Sequence, residues 1–137
     1  MITKFCLDDF DEATSFWSSA EGVTLNESDS RESIFKFLTR NSDLIFLARS
    51  KDGDLTGTVL CGHNGRAGQI YHLAVASNQR GKGLGKAFVQ ECFKKLKDEK
   101  TPLCNIFVYT INEIGNSFWL NTDWQGPKDW RVLQKIV

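Results

Sequence analysis

Between positions 79 and 86 the chain reads Gln79-Arg80-Gly81-Lys82-Gly83-Leu84-Gly85-Lys86, directly after an apolar run and directly before a helical pattern. Glycine lets a backbone approach a ligand without side-chain interference. The first turn of a helix carries N–H groups with no intrahelical acceptor, at the positive end of the helix dipole. A turn of this composition aims several amides at one point and suits an anion with several oxygens. Arg80, Lys82 and Lys86 add positive charge. The chemistry expected is the cradling of a pyrophosphate. A P-loop is excluded, because Arg80 and Ala87 stand where its first Gly and its Ser/Thr must be. A dinucleotide fingerprint is excluded as well: Gly81-x-Gly83 runs on to Lys86, and Gly83-x-Gly85 runs on to Phe88. The plainer alternative is a tight strand-to-helix connection and nothing more.

Other reactive residues are few. Cys6, Cys61, Cys92 and Cys104 form no C-x-x-C pair, which leaves no zinc or dithiol pattern. Beside apolar neighbours they read as buried, reduced thiols of a cytoplasmic protein. A nucleophilic cysteine needs an activating base, and nothing ties His63 or His72 to a thiol. No metal site is expected. The 137 residues carry 17 Lys/Arg and 17 Asp/Glu, a net charge of zero that argues against a nucleic-acid partner. That balance hides an asymmetry. Residues 1–68 hold seven basic and eleven acidic side chains (−4), and residues 69–137 hold ten and six (+4). The halves either meet two ligands of opposite charge or carry solvated helix faces. No apolar run is long enough for a membrane span, and the N-terminus turns acidic by Asp8, unlike a targeting peptide.

The elements that must position the turn follow from periodicity. A short strand is expected at residues 2–5. Asp8 or Asp9 then caps a helix with Phe10, Ala13, Phe16 and Trp17 on one face. A polar loop over 21–30 leads to a second helix at 31–40, with Ile34, Phe37 and Leu38 inward. Strands are expected at 44–48 and 56–61 around the turn Lys51-Asp52-Gly53-Asp54, and a fourth at 69–76 after the turn Asn64-Gly65. A long helix over 83–99 carries Leu84, Ala87, Phe88, Cys92 and Leu96 on one stripe. A strand at 105–110, a helix at 113–121 and a last strand at 130–136 complete the order βααβββαβαβ. This is an α/β chain: one domain over 1–137, with a mixed, mostly antiparallel sheet and helices on both faces.

One pattern does fit the glycine turn. Arg80, Gly83 and Gly85 satisfy R-x-x-G-x-G after Leu73-Ala74-Val75. Residues 112–124, Asn112-Glu113-Ile114-Gly115-Asn116-Ser117-Phe118-Trp119-Leu120-Asn121-Thr122-Asp123-Trp124, are similar to a second segment, N-x-x-A-x-x-F-Y-x-x-x-G-F. Both motifs and the element order resemble the GNAT (GCN5-related N-acetyltransferase) superfamily over most of the chain. The resemblance implies an acetyl-CoA-dependent N-acetyltransferase, acting on a primary amine by direct attack. It implies that Arg80 shapes the turn and that Gly81, Lys82, Gly83, Leu84, Gly85 and Lys86 hold the pyrophosphate. Main-chain groups of Leu73 and Val75 would pair with the pantetheine arm where the fourth and fifth strands splay, with an N–H near Val75 on the thioester oxygen. Asn112 would contact the arm, and Asn116 and Phe118 would line the same channel.

Three departures from the family pattern stand out. Where members carry a base on the fourth strand, this chain has Gln69 and Tyr71, so a water relay through Tyr71 or an acid of the 21–29 loop is expected instead. Strand alternation turns His72 away from those two. Trp119 stands where many members have the Tyr that protonates the leaving thiolate, and indole is no useful acid. Asp123 replaces a Gly. Trp119, Phe118 and Trp124 form either an aromatic core or a channel wall. The rival reading is a non-catalytic acyl-CoA-binding module. Glu21, Glu27 and Asp29 point to a cationic acceptor, a small amine or a peptide terminus, and the assembly is a monomer or homodimer.

Overall fold

Alternating apolar residues build the sheet, and glycines decide how closely helices approach it. The computed structural model describes every residue except 127, 128 and 130. The order is β1 (Ile2–Lys4), α1 (Phe10–Ser19), α2 (Arg31–Arg40), β2 (Ile45–Arg49), β3 (Leu55–His63), β4 (Ala67–Val75), α3 (Leu84–Asp98), β5 (Leu103–Ile106) and α4 (Glu113–Leu120). Residues Met1–Phe107 form one compact unit and Val108–Val137 another. The first unit holds a five-stranded sheet in the order β1-β2-β3-β4-β5. Its first four strands are antiparallel neighbours, and β5 joins β4 in parallel. The expected mixed, mostly antiparallel sheet is therefore present.

Two helices cover one face and one covers the other. Phe10, Ala13 and Trp17 of α1 and Ile34 of α2 share a buried cluster with Ile45, Leu47, Leu60 and Ala74. On the opposite face α3 lies close enough that a Cβ on Gly57 would stand 2.8 Å from Phe88, and one on Gly68 2.8 Å from Leu96. A methyl group at either position would push α3 off the sheet. The hairpin turns fall as the Asp-Gly and Asn-Gly signals indicate, with Gly53 at φ +93° and Gly65 at φ +85°.

The structure departs from the sequence expectations at several points. The strand expected at 105–110 is β5, which spans Leu103–Ile106, because only those residues find partners on β4. The strand expected at 130–136 does not form over 131–136, where Val132, Leu133 and Ile136 are exposed; position 130 lies outside the described residues. Alternation records strand propensity, but a strand needs a neighbouring ladder. Asp9 does not cap α1; it closes the 3-10 turn Leu7–Asp9, accepting from the Cys6 N–H at 2.9 Å. That turn leaves Cys6 exposed, so not all four thiols are buried. Among the described residues no helix is long and apolar enough to cross a membrane.

An ion cluster ties α1 to β2. Arg49 reaches Asp9 at 3.0 Å and Glu12 at 2.6 Å. Burial alone would raise Asp9, but hydrogen bonds from Cys6 and Arg49 outweigh it and hold the carboxyl below its ordinary value. The Arg49 hydrogen bond likewise depresses Glu12. Depressed carboxylates add stability above their unfolded pKa, and lose it as pH falls through the folded one. Arg49→Met should therefore be less stable than the parent at pH 7 in urea unfolding, and the gap should shrink as pH drops below about 4.

Candidate acyl-donor site at the open edge of β4

Past Ile70, β4 keeps one neighbouring strand and loses the other. Pairing with β5 covers Ala67–Ile70 only, while pairing with β3 continues to Val75. The Ala76 N–H bonds Thr56 on β3 at 2.9 Å. Successive residues of a strand direct their polar groups to opposite edges. Leu73 and Val75 therefore present theirs to the side where β5 has stopped. With the Ala76 N–H committed to β3, the Val75 N–H points to the other edge, where no β5 residue pairs with it. Its carbonyl accepts from Arg80 Nε at 3.2 Å.

The glycine turn continues this open line. Gly81 sits at φ +73° and Gly83 at φ +86°, left-handed conformations that cost a side-chain-bearing residue about 1–2 kcal/mol. A Cβ at either would meet nothing within 4 Å. The glycines thus serve backbone conformation and leave free space in front of the turn. Gly83 is the N-cap of α3 and gives no side-chain cap. The amides of Gly81 to Lys86 have no protein acceptor among the described residues. Arg80 is committed elsewhere: besides the Val75 carbonyl, it holds Glu21 at 3.0 Å. Arg80 therefore links the turn to the end of β4 and to Glu21. Lys82 and Lys86 are exposed, Lys82 reaching Gln79 at 3.3 Å. Unbonded amides, open space and two exposed ammonium groups fit a polyanionic ligand.

At its midpoint β4 breaks its alternation. Tyr71 pairs with Leu60 and Ala74 with Thr58, so His72 and Leu73 together oppose Val59. This is a β-bulge, and His72 takes φ +46° in it. The expectation that His72 faces away from Tyr71 is thereby overturned. Tyr71 packs edge-on to Phe37 of α2, with centroids 5.7 Å apart. His72 lies on the same face, 4.8 Å from the Trp17 ring of α1. The bulge is held by buried Thr58, whose hydroxyl donates to the His72 carbonyl at 3.0 Å and accepts from Trp17 Nε1–H at 2.8 Å. His72 Nε2 stands 2.5 Å from Asp29 Oδ1. No strand-level reading signals this pair, because it joins residues 43 apart through a bulge. Gln69 keeps a buried, unpartnered amide nitrogen. Burial first, and Cys61 second, push the Tyr71 phenol above its ordinary value.

The acidic loop is largely spoken for. Glu21 serves Arg80, and Asp29 serves His72 and the Asn26 N–H, so the cationic-acceptor expectation keeps only Glu27. Cys61 and Cys104 are poor nucleophiles. A hydrogen bond from Cys104 favours the Cys61 thiolate, but Cys92 and burial outweigh it and push the thiol up. Contact with Cys61 and burial push Cys104 up. Among the described residues no cluster of three His, Cys, Asp or Glu side chains is placed to hold a metal.

The second unit has its own order. Asn112 Oδ1 caps α4 by accepting from the Gly115 N–H at 2.9 Å. Asn116 Nδ2 donates to the carbonyls of Tyr109 and Asn112 at 2.9 and 2.8 Å. Trp119 is buried, edge-on to both Phe118 and Trp124, with centroids 4.9 and 4.8 Å away. Asp123, in place of the expected Gly, takes φ +68°. The turn therefore keeps a glycine-like conformation, which Asp tolerates better than most residues.

Comparison with known proteins gives the family and agrees with the fold. The model of the Acetyltransferase (GNAT) family matches residues 8–119. An acetyltransferase of Photorhabdus laumondii is 34% identical over 113 residues, 82% of this chain and 77% of that protein. Ard1 from Thermoplasma volcanium superposes with a TM-score of 0.76 at 14% identity, over 90% of this chain and 80% of that one. The PaiA N-acetyltransferase of Thermoplasma acidophilum, solved with coenzyme A, superposes at 0.73 and 19% identity, over 89% and 87%. At such identities the two structures speak for the fold.

Two stability measurements check the site's scaffold. Thr58→Val orphans the Trp17 N–H and the His72 carbonyl at once, and should cost roughly 2–4 kcal/mol in denaturant unfolding. Asp123→Gly should stabilise by about 0.5–1 kcal/mol in the same assay, by relieving the positive φ.

Proposed function

Since the chain belongs to the GNAT acetyltransferase family, we propose that residues 1–137 act as one cytoplasmic N-acetyltransferase domain, moving an acetyl group from acetyl-CoA to a primary amine by direct attack. The observation that carries this reading is a pair of main-chain stretches without a strand partner or helix acceptor, the β4 edge beyond Ile70 and the amides at the start of α3, joined by the turn that Arg80 braces. Acetyl-CoA, when bound, supplies an activated thioester carbonyl. The protein supplies the rest. The amides of Gly81, Lys82, Gly83, Leu84, Gly85 and Lys86 take the pyrophosphate, with the Lys82 and Lys86 side chains adding charge. Arg80 fixes the turn through Val75 and Glu21. Leu73 and Val75 pair with the extended arm as a missing strand would. The Val75 N–H is aimed where negative charge develops on the thioester oxygen, a contact worth about 3–4 kcal/mol where one such donor has been removed.

The acceptor is a small-molecule or peptide amine. An alkylamine with a pKa near 10.4 is neutral in only about one molecule in a few thousand at pH 7, so proton removal is part of the task. Tyr71 is a neutral donor at that pH and suits orientation of a water or of the amine. For Asn112, Asn116 and Phe118 a cofactor-lining role rests on the family resemblance alone. Trp119 carries no acidic proton, and its burial in an aromatic cluster favours the rival reading of an acyl-CoA-binding module. The catalytic reading has the leaving thiolate take its proton from water.

Thiol release from acetyl-CoA against a panel of alkyl, peptide and aryl amines separates the two readings: turnover on any member supports the enzyme, and tight coenzyme A binding without turnover supports the module. In calorimetry, Gly83→Glu and the unstrained Lys86→Glu should each weaken coenzyme A at least tenfold. Retained affinity in both would remove the pyrophosphate site. Trp119→Tyr should raise kcat if a missing acid limits the rate.

A further inference from the structure

The bulge in β4 gathers a pair that neither the glycine turn nor the open edge requires. His72 is held at φ +46° between Tyr71 and Leu73, at the point where β4 has already left β5. Its ring lies against Trp17, and its side chain keeps 15% of its surface open. Asp29, whose side chain is 7% exposed, sets Oδ1 on His72 Nε2 and takes the Asn26 N–H on Oδ2 at 2.9 Å. An ionised carboxylate only accepts hydrogen bonds. It therefore fixes the ring proton on Nε2 and leaves the lone pair on Nδ1; the Asp29 contact on Nε2 is the ring's one hydrogen bond among the described residues. A carboxylate behind one ring nitrogen, with the other nitrogen unoccupied, is the arrangement that makes imidazole a general base.

We propose that Asp29 and His72 are the proton-accepting dyad of this site, a reading that rests on the acetyl-transfer function above. Nδ1 of His72 takes one proton from the ammonium form of the acceptor, leaving a neutral amine and an imidazolium balanced by the Asp29 carboxylate. The amine nitrogen then forms the new C–N bond. The C–S bond breaks with its electron pair on sulfur, the second amine proton passes to water, and the thiolate is reprotonated from water. The groups around the ring agree with this assignment. Asp29, ahead of α2, is the charged group bonded to it. α1 contributes Trp17 and β3 contributes Thr58, neither of which titrates near neutrality. On β4 itself, Tyr71 remains protonated and Gln69 has no basic atom. The bulge thus moves the base from the expected strand positions to their neighbour.

The experiment combines ring tautomer and acceptor chemistry. Nitrogen-15 spectra of the labelled resting protein should place the His72 proton on Nε2; a proton on Nδ1 would overturn the dyad without any assay. His72→Gln should lower kcat for alkylamine acceptors by about a hundredfold or more, with coenzyme A affinity changed less than twofold. For an arylamine acceptor, already neutral at pH 7, the loss should stay below about tenfold. Equal losses for both acceptor classes would make His72 a structural residue and overturn the proposal, as would an unchanged alkylamine rate. Asp29→Asn should fall between parent and His72→Gln. Parent protein that turns over no amine would remove the acetyl-transfer reading and the dyad with it, whereas turnover that is indifferent to His72 removes the dyad alone.

Discussion

A strand that keeps one neighbour after losing the other must find partners for its exposed main chain, and this constraint organises the molecule. β4 pairs with β3 to Val75 but with β5 only to Ile70. The groups of Leu73 and the N–H of Val75 are left on the edge that β5 no longer pairs, while Arg80 takes the Val75 carbonyl. The same shortage recurs at once in the unbonded amides of 81–86. Two stretches of unmet backbone, one extended and one wrapped at a helix start, are what the proposed acyl donor would satisfy with its amide-bearing arm and polyanionic head. A buried unpaired backbone group is costly, so these groups are tolerated at the surface because solvent or a ligand can reach them.

The scaffold around that edge is braced by contacts distant in sequence. Arg80 links the turn to Glu21, 59 residues earlier, and to the last carbonyl of β4. Asp29 links the segment ahead of α2 to the bulge. Thr58 uses both functions of one hydroxyl to join α1 and the bulge through β3. Each contact ends on β4 or on the turn that follows it. Strain at His72 is stored where these contacts converge, as is common where backbone geometry serves a function.

Much of the architecture was legible beforehand. α2 spans the residues its periodicity indicates, and α3 and α4 differ from expectation only at their ends. The two hairpin turns follow from Asp-Gly and Asn-Gly, and the glycine turn from its composition. The failures share a cause. The last strand, the length of β5 and the side on which His72 lies each depend on a neighbouring ladder, and a ladder partner is not a local property. The exposure of Cys6 has a similar cause: its apolar neighbours do not disclose the 3-10 turn that leaves it at the surface.

What the sequence determined by itself was the set of local demands. Glycines at 81 and 83 supply positive φ, apolar stripes choose helix faces, and a run of small and basic residues opens α3. What only the tertiary structure decided was which side chains meet. Asp29 with His72 and Glu21 with Arg80 are pairings across 43 and 59 residues. The physical reason is that backbone conformation is written in short-range sterics, whereas a charge or a hydroxyl acquires its role from whatever the closed chain brings within about 3 Å of it.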